Sequence, residues 1–320
     1  MQRINLTYTE EKYLSPDDFN CNFKFDFDAK VTRYQQLSQQ QFHQDIYDQD
    51  ILVVNDLMVD QPIFEHNPNL KLIALCSTGY EQVDLALAQH KGVKVCNIRG
   101  YAADTVAEHA FLLMMSLMRN LMSYHQSVID GRWYKSQSFS LADFPIFDLK
   151  GKTLVIVGKG EIGQSLALKA TAFGMQVIYA ERKGCLSCRA GYMPFNDAIQ
   201  IADVISLHCP LQKDRPAMID LDCMLRMKSS CYLINVSRGA LVNEHDLVWA
   251  LKHQLIAGYA ADVIQPEPPP QDHPLLQAGL NVLLTPHIAW SSFEAKQRMF
   301  HILNQNINLN MQGIDHNRVV

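Results

Sequence analysis

Thr153–Lys183 reads TLVIVGKGEIGQSLALKATAFGMQVIYAERK, and the fold of the whole chain is read outward from it. Thr153–Val157 is a short apolar run rich in β-branched residues, which predicts a buried strand. It leads straight into Gly158-Lys159-Gly160-Glu161-Ile162-Gly163, a complete G-x-G-x-x-G. Ile162, Leu166 and Ala170 then follow a helical spacing that stops near Gly174, and a second apolar run, Gln176–Ala180, ends at Glu181. Strand, glycine-rich turn, helix and strand is the order of a βαβ dinucleotide-binding unit. The first glycine allows the tight turn, the second lets backbone approach a pyrophosphate, and the third lets helix pack on strand. The helix N-terminus then turns unpaired N–H groups and a positive dipole end toward the phosphates. Glu181 stands 18 residues beyond the last glycine, where a carboxylate is placed to reach the adenosine ribose. A P-loop is excluded, because its lysine position holds Gln164.

The chain has 320 residues, room for about two domains, and 48% of them are hydrophobic, enough for substantial cores. A net charge of −5 without a basic block argues against nucleic-acid and anionic-membrane partners. No 18-residue apolar run is present, so no membrane span is expected. The opening MQRINLTYTEEKYL has neither the apolar core of a signal peptide nor the acid-poor composition of a transit peptide. Eight scattered cysteines predict reduced thiols in a cytoplasm rather than a disulfide framework. Cys185 and Cys188 form a C-x-x-C without a partner pair at zinc spacing, so a surface loop is expected there and no metal.

Residues 1–99 alternate strand-like segments (Ile4–Tyr8, Ile51–Val54, Leu72–Cys76, Val93–Ile98) with room for short helices, predicting a smaller parallel α/β unit. Tyr34–Tyr47 is polar and Gln-rich, a solvated helix at best. Asp104–Met122 is a long helical pattern, apolar enough to be buried in its domain or in a subunit interface. Ser123–Lys150 reads as irregular and aromatic-rich, either a dimer arm or a loop packed on its own domain. Six strands between Val155 and Leu284 then match a doubly wound dinucleotide domain, with helices behind Asp220 and Asn243 and a capping-box start at Ser291–Glu294 for a last helix to about Met311.

In such sheets ligands bind beyond the carboxyl ends of the strands. Arg238 follows Tyr232–Val236, Glu267 follows Gly258–Val263, and His287 follows Val282–Leu284. A cation, a carboxylate and an imidazole at three strand ends suit carbonyl reduction beside a nicotinamide. Hydride arriving at carbon leaves charge on oxygen, which an acid of near-neutral pKa must protonate. A carboxylate beside the imidazole favours its charged form, and an arginine can hold a substrate carboxylate by paired hydrogen bonds. Taken singly, each has a plainer reading: a core or surface histidine, a helix-capping arginine, a solvated loop carboxylate.

The ordered segments STGYEQVD (77–84), DTVAEHA (104–110), VGKGEIG (157–163), SLHCPL (206–211), NVSRGALV (235–242), DVIQPEP (262–268) and TPHIAW (285–290) are similar to those of the D-isomer-specific 2-hydroxyacid dehydrogenases. The resemblance runs over nearly the whole chain. It implies a Rossmann-type doubly wound cofactor domain at 100–289 and a smaller flavodoxin-like substrate domain built from 1–99 and 290–320, with a hinge at the crossovers. It implies His287 as acid/base, Glu267 as its partner and Arg238 as substrate binder and carbonyl polariser, with backbone amides near Thr78 and Gly79 binding the substrate carboxylate. Gly158, Gly160, Glu161, Ile162 and Gly163 would hold the cofactor. Thr105, Glu181, His208, Pro210, Val236, Ser237, Arg238, Asp262 and His287 would contact it.

Within the family, TPHIAW, NIRGY and AERKG resemble glycerate dehydrogenases, also called hydroxypyruvate reductases, and Trp290 would narrow the pocket toward a small substrate. Formate dehydrogenases of the family carry glutamine at the Glu267 position, and many phosphoglycerate dehydrogenases carry a regulatory domain for which this length leaves no room. Short phosphoglycerate enzymes stay open. Two positions depart from the family's pattern: Glu181, usually aspartate and here followed by Arg182 and Lys183, and Glu81-Gln82 in the first substrate loop. A carboxylate at 181 would repel a 2′-phosphate, which favours NAD over NADP. The expectation is a cytoplasmic, homodimeric, NAD-dependent reductase of a small 2-oxo acid, hydroxypyruvate first. The alternatives are a glyoxylate or broad 2-oxo-acid reductase, and a nucleotide-sensing protein like the C-terminal-binding corepressors, which share the fold.

Overall fold

The computed structural model describes residues 3–13, 22–185, 187–211, 215, 217–277 and 279–320. Cys21, one of the eight thiols, lies outside them. Strands β1 (Ile4–Tyr8), β2 (Ala29–Arg33), β3 (Ile51–Val54), β4 (Leu72–Leu75) and β5 (Lys94–Cys96) come first, with helices α1 (Gln39–Asp45), α2 (Gln61–His66) and α3 (Leu85–Lys91) among them. Helices α4 (Ala103–Met118), α5 (Leu121–Ile129) and α6 (Arg132–Ser136) follow in a row. Alternation then resumes through β6 (Thr153–Val157), α7 (Glu161–Ala172), β7 (Gln176–Ala180), α8 (Phe195–Ile201) and β8 (Val204–Leu207). It continues through α9 (Leu221–Arg226), β9 (Tyr232–Asn235), α10 (Glu244–Lys252), β10 (Gly258–Ala261) and β11 (Val282–Leu284), before α11 (Phe293–Met311). None of the described helices is long and apolar enough to cross a membrane.

The chain divides into two compact units, Met1–Ala102 with Ser291–Val320, and Ala103–Trp290. In the first, all strands pair in parallel in the order β2-β1-β3-β4-β5, the flavodoxin-like winding. β3 and β4 are buried at every residue, which is why their sequences ILVV and LIAL show no alternation. β2 was not expected: Lys30 and Arg33 hide it, and as an edge strand it pairs only with β1. The Gln-rich segment is shorter than expected and not merely solvated. Ser38 and Gln41 form a capping box for α1, and Phe42 is fully buried. α11 packs against β4, and the buried Asn306 donates its side-chain N–H to the Asn97 carbonyl at 2.8 Å. Its cap is Ser292, which accepts from the Ala295 N–H, one residue later than the expected Ser291 box.

The second unit is a six-stranded parallel sheet ordered β11-β10-β9-β8-β6-β7. Met193 adds one parallel bridge to Ala180 outside β7. Counted as a vestigial third strand, it restores the doubly wound order with the switch point between β6 and β8. Successive strand residues face opposite layers. Leu154 and Ile156 pack with α4 and α7 residues such as Ala110, Leu113 and Leu166, whereas Val155 and Val157 pack with Ala198, Met224 and Leu247 of α8, α9 and α10. α4 is therefore buried within its own unit. It ends at Met118, because Asn120 adopts a left-handed conformation (φ 48°), and α5 and α6 occupy part of the stretch read as irregular.

Two glycines hold the switch point closed. Gly158 has φ +112°, and a Cβ there would stand 2.3 Å from the His208 carbonyl oxygen at the end of β8. A Cβ on Gly163 would stand 2.1 Å from the Gly158 oxygen, so helix and strand touch there. Gly160 differs: a Cβ would meet nothing within 4 Å. Gly163→Ala is expected to destabilise the unit by about 1–3 kcal/mol and to lower Tm by several degrees in a thermal melt, whereas Gly160→Ala should leave Tm close to that of the unmodified protein.

Candidate active site

His287 is the residue around which the strand ends of the second unit are arranged. Its ring Nδ1 lies 2.6 Å from Glu267 Oε2, while Glu267 Oε1 accepts the Ile264 N–H at 3.0 Å. The hydrogen bond to Glu267 raises the imidazole pKa above its ordinary value, more than burial and the Arg238 charge lower it. Burial pulls Glu267 upward, but the His287 hydrogen bond and charge outweigh it and hold the carboxyl below the usual range. Glu267 is thus an anion at neutral pH, so Nδ1 carries a proton toward it and Nε2 is the nitrogen left for chemistry.

The backbone at His287 is left-handed (φ 56°), a costly conformation for a residue with a Cβ, of order 1–3 kcal/mol. Asp262, at the end of β10, supplies what holds it. Its carbonyl accepts the His287 N–H at 2.9 Å, and its carboxylate accepts the N–H groups of Ile288 (2.9 Å) and Ala289 (2.7 Å) and the Thr285 hydroxyl (2.6 Å). Since that hydroxyl donates to Asp262, it accepts from His109 Nε2 of α4 at 2.8 Å. Thr105, a turn earlier, donates to the Ala289 carbonyl at 3.3 Å, and the Trp290 indole donates to the His287 carbonyl at 2.9 Å. Thr105 and Asp262 were expected to contact a cofactor. Here Asp262 is 1% exposed with both oxygens engaged, so its side chain builds the loop.

Arg238, half-buried after β9, donates from Nη1 to the Ser237 carbonyl, and its charge is felt by both Glu267 and His287. The Ser237 hydroxyl ties this turn to the Leu207 carbonyl of β8, and Asn235 donates to the Arg238 carbonyl. Gly239 lets the turn press on the neighbouring loop, because a Cβ there would be 2.4 Å from the Ile264 carbonyl carbon. The loop carrying Glu267 is fastened by two residues that sequence reasoning missed. Glu244 Oε1 accepts the Gln265 N–H at 3.1 Å, and His273 Nε2 reaches Glu244 Oε2 and the Gln265 carbonyl, both at 3.0 Å. His273 Nδ1 accepts from the Leu275 N–H, which places the proton on Nε2. No spacing signals this pair, since its members lie 29 residues apart.

Around the glycine loop the residues fit a dinucleotide. α7 starts at Glu161 without a side-chain cap, its Ile162 is partly buried against the core, and the space beside Gly160 is open where backbone would meet a pyrophosphate. His208 is half-buried with Nε2 at 2.8 Å from the Ser206 hydroxyl, and the desolvation of its ring lowers its pKa to about 4, so it is neutral. Pro210 and Val236 lie on the exposed and half-buried flanks of the same strand ends. Glu181 departs from expectation. Its carboxylate is 3% exposed and is clasped by Arg189, with Nε at 2.8 Å and Nη2 at 2.7 Å, rather than open to a ribose. Lys183 is likewise bound, to Asp220 at 2.6 Å. Cys185 and Cys188 are exposed free thiols.

In the first unit, the loop after β4 is shaped by its own side chains. The Thr78 hydroxyl donates to the Ile98 carbonyl, Asn97 donates to the Thr78 carbonyl, and the Ser77 hydroxyl donates to the Gly79 carbonyl. Among the described residues, none accepts from the N–H of Thr78 or Gly79.

Comparison with known proteins matches residues 111–289 to the NAD binding domain of the D-isomer specific 2-hydroxyacid dehydrogenases. The glycerate dehydrogenase of Methylorubrum extorquens is 39% identical over 84% of this chain and 85% of its own length. The chain belongs to the D-isomer specific 2-hydroxyacid dehydrogenase family. The hydroxypyruvate reductase of Blautia hydrogenotrophica is 33% identical over 84% of each chain. An NADPH-dependent glyoxylate/hydroxypyruvate reductase of Sinorhizobium meliloti, solved with citrate, superposes at a TM-score of 0.82 with 25% identity over 99% of this chain and 98% of its own. A member of this family is an oxidoreductase that uses a nicotinamide dinucleotide, and the relatives support reduction of a 2-oxo acid. For this dehydrogenase, NMR titration of the His287 ring should give a pKa above the ordinary 6.5, and Glu267→Gln should bring it down.

Proposed function

We propose that this dehydrogenase reduces a small 2-oxo acid to the D-2-hydroxy acid, with hydroxypyruvate the favoured substrate, in the cytoplasm. The observation that carries the reading is the 2.6 Å Glu267–His287 contact, which favours the charged imidazole and leaves Nε2 as the nitrogen that faces the reaction. The bound dinucleotide supplies the hydride. As charge develops on the carbonyl oxygen, His287 gives it the Nε2 proton, and Glu267 stabilises the imidazolium until then. Arg238 holds the substrate carboxylate and polarises the carbonyl. In the first unit, the backbone N–H groups of Thr78 and Gly79, without acceptors among the described residues, are the ones able to take a carboxylate. The Trp290 indole, tied to the His287 carbonyl, limits the room beside the acid, which favours a short substrate.

The names borne by the Methylorubrum, Blautia and Sinorhizobium relatives support this choice and also keep glyoxylate as a second substrate reading. Parallel assays with hydroxypyruvate, glyoxylate, pyruvate and 3-phosphohydroxypyruvate decide it. Hydroxypyruvate should give the highest kcat/KM, and no turnover of any of them by protein that binds the dinucleotide would favour a sensing role. His287→Ala should cut kcat by about 10²–10⁴, and Arg238→Ala should both raise KM and lower kcat. Reduction needs the imidazolium, so kcat/KM should be flat below the raised His287 pKa and fall above it. Glu267→Gln should move that fall to lower pH. A pH-independent rate would remove His287 from the role.

We also propose a homodimer through the second unit. Its 123–150 stretch exposes Ile129, Trp133, Tyr134 and Phe139, and the last two are 88% and 98% exposed, apolar surface that a partner copy would cover. Tyr134→Asp with Phe139→Asp should convert a dimer to a monomer in analytical ultracentrifugation. A dimer of unchanged strength would place the interface elsewhere.

A further inference from the structure

One cationic side chain, Arg189, clasps one carboxylate, Glu181, at the end of β7. Glu181 Oε1 accepts from the Arg182 N–H (2.9 Å) and Arg189 Nη2 (2.7 Å), and Oε2 accepts from the Arg189 N–H (3.1 Å) and Nε (2.8 Å). Four hydrogen bonds fill the acceptor directions of a carboxylate. The clasp holds Glu181 down at about 2, the Arg189 hydrogen bond being the main cause, so it stays ionised and stays engaged. A ribose diol would therefore have to displace Arg189 to reach this carboxylate.

Arg189 is itself fixed. Its guanidinium lies 4.0 Å over the Tyr192 ring and is half exposed. The clasp uses two of its five N–H donors and leaves three. Lys159, inside the glycine loop, has its ammonium 4.7 Å from the Tyr179 ring and 5.5 Å from the Tyr192 ring. Arg182 is exposed and makes no ion pair among the described residues, whereas Lys183 is neutralised by Asp220. The place where a strand-end carboxylate would read the adenosine ribose thus carries a surplus of positive charge and a pre-oriented guanidinium.

We infer that Arg189 is the residue that selects the coenzyme, and that the site takes the 2′-phosphate of NADPH in preference to the free ribose of NADH. This rests on the dehydrogenase reading above and reverses the preference that Glu181 alone suggests. Arg189 acts twice, by removing the carboxylate as a hydroxyl acceptor and by offering its remaining donors to a dianion.

Fluorescence titration with NADH and NADPH in the absence of substrate reads binding alone. The unmodified protein should bind NADPH on the order of tenfold or more tightly than NADH, and 2′,5′-ADP should displace it far better than 5′-AMP. Arg189→Ala should weaken NADPH by a similar factor and tighten NADH, because Glu181 is released. Equal losses for both coenzymes would reduce Arg189 to a loop-holding residue, and a preference for NADH in the unmodified protein would overturn the inference. If the variant does not fold, the comparison of 2′,5′-ADP with 5′-AMP on the unmodified protein still decides. Binding of neither coenzyme would strike the dehydrogenase reading, whereas binding of both with the opposite preference strikes only this inference.

Discussion

The carboxylate of Asp262 accepts three hydrogen bonds from one short loop, and its carbonyl accepts a fourth. A buried anion with so many donors is satisfied, and the donors are satisfied by it, so the loop has few other low-energy arrangements. That is what lets His287 keep a left-handed backbone and point Nδ1 at Glu267. The same aspartate reaches α4 through Thr285 and His109, so His287 is referenced to a helix packed on the sheet. Glu267 is fixed independently, from α10 and His273. The short contact between histidine and glutamate is the meeting of two separately anchored loops, which is the pre-organisation that proton transfer requires.

Much of this was legible in the sequence where function leaves a local pattern. β6, α7 and β7 follow from apolar runs and the glycine spacing, whereas Arg238, Glu267 and His287 are marked out by their places after strands and given roles by the family resemblance. What could not be read depends on partners distant in sequence or on geometry without periodicity. β2, AKVTR, carries two charges in five residues and looks like loop. Asn120 breaks a helical pattern by its backbone, not its hydrophobicity. Asp262 reads as one more polar residue after a strand, and only the folded loop shows that its oxygens are taken.

Glu181 makes the same point at the opposite end of the glycine loop. A carboxylate at the end of the second strand is a useful sign because it assumes free lone pairs. Whether they are free was decided by an arginine eight residues later, across a turn that no pattern predicts. Charge counted along the chain misleads here as well, since Lys183 is neutralised by Asp220 while the more remote Lys159 is brought close through two tyrosine rings.

The discontinuity of the first unit bears on how the protein is made. The second unit, Ala103–Trp290, is one continuous segment and can close as soon as it leaves the ribosome. The sheet of the first unit emerges earlier, yet its covering helix α11 and the tail that pairs Val319 with Val95 come last. At synthesis rates of roughly 5–20 residues per second, that sheet waits about 10–40 s with apolar surface uncovered. Chaperone dependence in the cell should therefore concentrate on the five-stranded sheet of the first unit.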